Sequence, residues 1–321
     1  MSFSTTTLET ITNKYIAPEV VDNAFAGQPF AFWLRENGRL TLRGGRSITQ
    51  PILKDDLTAE MYDGLEPATL ENIEIACPAE WDWKWGRIPF VIPETEIDKN
   101  GGDEGIVDIV ETYTDAAKLT AVKLLGTNLF GTNASAPKNF DGLQNLFGAS
   151  GTAYATLTDT SFTSPANWLT YIHTPLSAAI LSPMDMRVMR GAATYGSAVP
   201  NLGLCNFAMY AKVWALAETH QRFGQEKAAS LGFDHVLFEG MPIVPDANSP
   251  GTGLTQTDNW LMFLNTDYIK LVIHSNKAFV SKVYPPVADY EAYVGKIKFG
   301  GNLITTKRGA HAVGKAFDPA D

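Results

Sequence analysis

The chain has 321 residues, 45% hydrophobic and 19% charged, with a net charge of −10. That balance excludes an intrinsically disordered chain and leaves room for about two domains with a sizeable core. It also argues against a protein that grips nucleic acid through its overall charge, because phosphate contacts need clustered Lys and Arg; enclosing nucleic acid remains open. No run approaches the roughly 18 apolar residues that a membrane-spanning helix needs. The opening MSFSTTTLET lacks the charged and apolar regions of a signal peptide. Cys77 and Cys205 lie far apart, form no disulfide framework and read as buried apolar groups. A reducing site of synthesis follows.

Residues 1–43 read as an arm. Val20, Val21 and Phe25 suggest a short helix over 18–26, which Gly27-Gln28-Pro29 interrupts, and Phe30, Phe32, Trp33 and Leu34 form an apolar cluster. Residues 46–92 read as a long two-stranded excursion. Ser47–Leu53 is its first leg, with Pro51 at an edge position, and an acidic tip follows with Asp55, Asp56, Glu60 and Asp63. The return leg is Thr69–Cys77. Trp81, Trp83 and Trp85 then alternate with Glu80, Asp82 and Lys84, the period of a half-buried strand. A lone ribbon is marginal in water, so this one must lie on another surface.

The strongest helix covers 103–130. Ile106, Ile109, Val110, Tyr113, Ala117, Ala121, Leu124 and Leu125 share one face, and Asp103 and Glu104 complement the dipole at its start. Such a helix is roughly 40 Å long and could act as a strut. After a Gly/Ser/Thr-rich connector, Ser164-Pro165 and Ser182-Pro183 predict helix starts, the second with Asp185 placed for a capping box. Ala178–Leu181 reads as a strand leading into it, and Phe207–Ser230 as a second long helix. Val236–Phe238 and Met241–Val244 make a compact strand–turn–strand around Glu239-Gly240. The tail is mostly β, with strands at Leu261–Asn265, Ile269–His274, Phe279–Tyr284, Lys296–Phe299 and Leu303–Thr306. Mixed elements without regular βα alternation predict an α+β fold.

Chemistry is sparse. The chain has no G-x-S-x-G, H-E-x-x-H, C-x-x-C, Walker or G-x-G-x-x-G motif, and its five histidines lack metal-ligand spacing. Gly251-Thr252-Gly253 sits in a Pro/Asp/Asn-rich loop and opens no helix, so it makes no phosphate cradle. Trp81, Trp83 and Trp85 could form a stacking platform for sugars. Packing of a strand face is the simpler reading, and Glu80 and Asp82 disfavour nucleic acid there. No enzyme, cofactor or metal site is predicted.

The order of segments carries more. Tyr15-Ile16-Ala17-Pro18-Glu19-Val20-Val21, then Gly44-Gly45 with Ser47–Ile52, then Gly101–Thr112, follow one another along the chain. Phe140-Asp141-Gly142-Leu143, Ile180-Leu181-Ser182-Pro183 and Leu231-Gly232-Phe233 come next, then Phe238–Val244 and Phe263–Tyr268. Each string is short; together, in this order, they resemble the major capsid protein of tailed double-stranded DNA bacteriophages, the Hong Kong 97 fold. The resemblance covers nearly the whole chain.

It implies an N-terminal arm at 1–43, an extended β-hairpin loop over the adjacent subunit at 44–92, and a peripheral domain at 93–159 and 263–321. That domain would hold a spine helix at about 103–130, and residues 160–262 would form an axial domain. It further implies self-assembly as hexamers and pentamers into an icosahedral shell. The shell would enclose packaged double-stranded DNA without sequence-specific binding and would involve no membrane. Portal, separate scaffolding and decoration proteins are the other partners it suggests, with the virion capsid, assembled in the host cytoplasm, as the location. Contacts between subunits would fall on Phe30, Trp33, Ile52, Leu53, Tyr62, Trp81, Trp83 and Trp85 of the arm and ribbon. Relatives differ in two respects. Some carry a scaffolding segment before the arm, whereas this arm begins almost at Met1, which favours a separate scaffold or none. Some weld subunits through a Lys–Asn bond; Lys54 lies in the ribbon, but no Asn or Glu partner can be matched, so no crosslink is predicted. The rival readings are an encapsulin-like compartment, which shares the fold, and a sugar-binding or hydrolytic protein built on the Trp stripe.

Overall fold

The computed structural model describes residues 28–55, 57, 59–67, 74–95, 103–133, 136–162, 164, 167–175, 180–219, 235–251, 258–284 and 292–317. The helix expected over 18–26, the end of the helix expected to Ser230, the first half of Ala178–Leu181 and the start at Pro165 lie outside them.

Helix α1 (Pro29–Glu36) opens the described chain. Pro29 was expected to interrupt a helix; it starts one instead, because its fixed φ and missing N–H suit the first turn. Phe30, Ala31 and Leu34 are buried, with Phe30 set edge-on against Phe130 at 5.8 Å. Gln28, just before the helix, donates to the Val122 carbonyl at 3.3 Å and accepts from Asn248 Nδ2 at 2.7 Å. The arm is thereby tied to two distant parts of the chain.

Strand β1 (Leu40–Arg43) leads to β2 (Ile48–Leu53) and β3 (Ala76–Trp81), which pair antiparallel as a two-stranded ribbon. Pro51 faces Pro78 in this ladder. Lys54 N donates to the Ile75 carbonyl at 2.8 Å, and hydrogen-bonded pairs alternate from there, so both prolines fall at non-bonded pairs whose nitrogens point outward. Neither outer edge offers an N–H at that point, which blunts unwanted strand pairing. Glu80–Trp85 was expected to form one half-buried strand. Instead β3 stops at Trp81, and a new strand, β4 (Lys84–Pro93), joins another sheet.

Helix α2 (Asp103–Phe130) has 28 residues. Ala117, Ala121, Leu125 and Leu129 are buried four residues apart, as the sequence period predicts, and two alanines let the helix lie close to its sheet. The side chains of 103–112 are outside the described set. A short α3 (Leu143–Leu146) and β5 (Tyr171–His173) follow. Helix α4 (Pro183–Ala192) then starts as predicted: Ser182 Oγ accepts from Asp185 N, and the Asp185 carboxylate accepts from Ser182 N, a complete capping box. β6 (Leu202–Cys205) and α5 (Phe207–Thr219) come next. β7 (Val236–Phe238) and β8 (Met241–Pro245) turn through Glu239 and Gly240, both at positive φ, the left-handed pair a two-residue hairpin turn requires.

The chain closes with β9 (Asn259–Leu264), β10 (Ile269–His274), β11 (Val280–Tyr284), β12 (Ala292–Thr305) and β13 (Ala312–Phe317). Lys296–Phe299 and Leu303–Thr306, read as two strands, are one 14-residue strand running through Gly300-Gly301. The glycines do not break it because their missing side chains make room for neighbours. Trp85 faces Gly300, Phe299 faces Gly86 and Phe90 faces Gly295 across the β4–β12 ladder. A methyl group at any of the three glycines would overlap the opposing ring.

Two larger sheets result. In the five-stranded one, β1, β10, β12 and β11 follow in order and β4 pairs with β12. The six-stranded one has the order β5-β13-β9-β6-β8-β7. β13, at the end of the returning segment, therefore lies within the sheet that also holds β5 to β9. The first core joins Phe30, Leu125, Phe140, Ile88, Ile297 and Phe299, among others; the second gathers Met186, Met189, Met209, Val213 and Phe263.

Candidate assembly surfaces

Among the described residues the ribbon has no core of its own beyond its root. Ile48, Ile52, Ala79 and Trp81 are buried there, whereas Leu53, Leu57, Met61, Tyr62, Leu65 and Ile75 at the far end are exposed, Met61 at 100% and Tyr62 at 76%. Apolar side chains in a run this exposed mark an interaction surface. The segment 54–67 carries five acids and one Lys. Lys54 pairs with Glu74 at 2.6 Å across the ribbon, which steadies the tip's base.

At the root, the chain switches sheets between Trp81 and Lys84. Asn302 Nδ2 donates to the Asp82 carbonyl at 3.0 Å and to Asp141 Oδ2 at 2.6 Å, while Asn302 Oδ1 accepts from Asp141 N at 2.8 Å. Burial raises the Asp141 carboxyl above its ordinary range, with the Asn302 bond opposing it. Trp83 Nε1 donates to the Gly45 carbonyl at 3.0 Å, closing the ribbon's base.

The three tryptophans therefore separate. Trp81 is 2% and Trp83 8% exposed, and only Trp85, at 55%, presents its ring to solvent. Trp85 lies 5.3 Å from the His274 ring and 6.2 Å from Trp83. No three-ring platform exists for stacked sugars.

Of the eight contact residues expected from the sequence, Phe30, Ile52, Trp81 and Trp83 are packed inside this chain's own core and offer no free face. Their burial is intramolecular because α1 and the ribbon root cover the first core. Trp33 is partly buried and donates from Nε1 to Thr266 Oγ1 at 3.3 Å. Leu53, Tyr62 and Trp85 remain on the surface.

A surface the sequence reading missed lies on the outer face of the five-stranded sheet. Burial alternates along β4, leaving Trp85, Arg87, Pro89 and Val91 outward. Register places Lys298 opposite Arg87, Lys296 opposite Pro89, and Lys282 opposite Lys296. Direct cross-strand partners share a face, so four cations gather beside Trp85. Lys138 and Lys277 rim the same hollow, of about 420 Å³. Sequence spacing could not reveal it, since β4 and β12 are about 200 residues apart.

His173 and His311 serve packing. His173 Nε2 meets Asp185 Oδ1 at 2.8 Å, next to the capping box. His311 is buried, accepting at Nδ1 from Asn265 N, with Nε2 3.1 Å from Thr305 Oγ1. Cys205 is buried as expected, and Cys77 is half-buried in the ribbon. Among the described residues no three His, Cys, Asp or Glu side chains gather as metal ligands.

No family model and no curated protein matches the chain. Solved structures do. The capsid of cyanophage A-1(L) superposes with a TM-score of 0.62 at 12% identity, covering 87% of this chain and 90% of that one. The capsid of a native GTA particle gives 0.61 at 9% identity, covering 88% and 89%. The fold is the Hong Kong 97 fold. An encapsulin complex from Synechococcus elongatus has it too, with a TM-score of 0.57 at 11% identity over 90% of this chain and 88% of that one.

Proposed function

We propose that this chain is a structural subunit, not an enzyme, that self-assembles through hexamers and pentamers into an icosahedral shell around double-stranded DNA. The observation that carries this is the fold, which capsid structures share over nearly nine-tenths of the chain. The bare apolar tip of the ribbon supports it, because a lone subunit gains nothing by exposing Met61, Tyr62 and Leu65, whereas a neighbour could cover them. Head-to-tail contacts of that kind form rings where the rotation between copies closes. The proposed division is arm, ribbon, peripheral part around α2 and axial part around α4 and α5, with β4 assigned to the peripheral sheet and β13 to the axial one. Leu53, Tyr62 and Trp85 are the proposed contact residues. Location in a virion, and portal, scaffolding and decoration partners, belong to the same proposal.

A second reading, a cellular compartment holding protein cargo, is favoured by the encapsulin likeness. Expression of the full chain, followed by light scattering and negative-stain microscopy, tests both. Megadalton shells support either. Nuclease-protected DNA in shells recovered from the native source supports the first, and a co-purifying protein in place of DNA supports the second. A monomer at every concentration, with or without co-expressed neighbouring genes, overturns both.

A further inference from the structure

The outer face of the five-stranded sheet is electrostatically unusual. Strands β4, β11 and β12 together contain five cations, Lys84, Arg87, Lys282, Lys296 and Lys298, and no Asp or Glu, in a chain whose net charge is −10. Two of the cross-strand pairs, Arg87–Lys298 and Lys282–Lys296, set like charges directly opposite each other. Such pairs destabilise a sheet. Acidic groups brought onto this face from another molecule would relieve that repulsion. The local field is evident at Tyr284, whose hydroxyl accepts from Lys298 Nζ at 3.4 Å. That hydrogen bond, then the charges of Lys298, Lys296 and Lys282, hold the phenol below its usual range.

The ribbon tip is the complement. Glu60, Asp63 and Glu66 are exposed there, interleaved with exposed Leu57, Met61, Tyr62 and Leu65. The cationic face carries a matching apolar seat in Trp85, Pro89 and Val91, exposed on the same side as Arg87. In the single chain Arg87 and Lys282 are exposed and Lys296 and Lys298 half-buried beside them, and the six-residue ladder from Ile48–Trp81 to Leu53–Ala76 carries the tip roughly 17 Å from the root where β4 begins. We propose that the acidic, apolar tip of one subunit docks on the Arg87–Lys282–Lys296–Lys298 face of a second copy, so that subunit pairing is an electrostatic latch around an apolar seat. The proposal rests on the shell reading and names the landing site within it.

The test is a charge exchange in the full chain. A face variant carries Arg87→Glu, Lys296→Glu and Lys298→Glu. A tip variant carries Glu60→Lys, Asp63→Lys and Glu66→Lys, and a third chain carries both sets. Circular dichroism and melting confirm that each folds; Lys282→Glu alone, at an exposed position, replaces any variant that does not. Expected is at least a tenfold rise in the concentration needed for assembly in either single set, and recovery in the combined chain. A similar rise for wild type between 50 and 500 mM salt is expected, because exposed charges are screened. Unchanged assembly by the face variant overturns the latch while leaving the shell reading intact. Shells that form normally but lose bound nucleic acid, seen as a lower 260/280 nm absorbance ratio, also overturn it, and assign the face to phosphates. Should wild type form no shells, the shell reading fails separately. Equal self-association of wild type and face variant in sedimentation velocity then overturns the latch as well.

Discussion

Replacing Met61 and Leu65 together by serine separates what holds the chain folded from what holds chains to one another. Met61 is fully exposed and Leu65 equally bare. Exposed substitutions away from special features stay within about 0.5 kcal/mol of the folding free energy. The melting curve should therefore be nearly unchanged. Assembly should not be. Burying a Leu or Met side chain on a partner contributes about 1.5–3 kcal/mol each, so the pair contributes roughly 3–6 kcal/mol per contact. At about 1.4 kcal/mol per decade, each contact weakens by two to four orders of magnitude. The assay is the concentration at which light scattering first reports particles, read beside urea unfolding of the same preparation. Shells appearing at the wild-type concentration would refute the reasoning, since the tip would then not be covered. A large fall in folding stability would refute it differently, by showing that these side chains are part of this chain's own core.

Two further outcomes follow from buried polar groups. Arg308 is fully buried and donates to the carbonyls of Leu146, Gly148 and Trp168 at 2.8, 3.0 and 3.3 Å; Arg308→Met keeps the volume but orphans the Gly148 and Trp168 carbonyls and leaves that of Leu146 with its bond from Thr170 Oγ1 alone, which should cost about 2–4 kcal/mol by urea unfolding. His311 is held neutral by burial, its pKa lowered from 6.5 to about 3. Below pH 6.5 the unfolded chain takes up a proton the folded one refuses, so stability falls by up to about 1.4 kcal/mol per pH unit as pH drops toward 3. Asp141 and Asp246, raised by burial, act in the opposite sense as pH falls through their raised values. The comparison is therefore with His311→Gln, whose stability should lack the His311 part of the slope between pH 6 and 4. Parallel curves would show that His311 protonates in the folded state.

Some of this architecture was legible in the sequence because the information is local. The 3.6-residue spacing of Ala117, Ala121 and Leu125 fixes the helix and its buried side, and Ser182 with Asp185 fixes where α4 begins. The hairpin at Glu239-Gly240 needs only its two turn residues. What stayed hidden depends on distant partners. The Trp81–Trp85 alternation is locally that of one strand, yet Asn302, more than 200 residues away, holds the Asp82 carbonyl where the chain changes sheets. Gly300-Gly301 looks like a break until Trp85 is placed against it. The cationic face is invisible in sequence for the same reason: Arg87 and Lys298 become neighbours only when β4 and β12 pair.

That pairing can itself be tested with one kind of substitution on two faces. Gly86 and Gly300 lie on the same β4–β12 ladder, each beneath an aromatic ring, Phe299 and Trp85 respectively. Phe299 cannot yield: it is buried, stacked on Phe279 at 5.2 Å and edge-on to Phe140 at 6.0 Å. Gly86→Ala should therefore overpack the core and cost about 1–3 kcal/mol. Trp85 is half exposed and can swing outward, so Gly300→Ala should cost less than about 0.5 kcal/mol. Moving that indole nevertheless disturbs the apolar seat beside Arg87 and Lys298. Assembly should weaken in Gly300→Ala while its melting curve holds, the reverse of what a core position gives. Urea unfolding and the scattering threshold, measured on both variants, read the two effects separately. Equal losses of folding stability would mean that Trp85 is held as firmly as Phe299, and that the outer face is not the open surface its exposure implies.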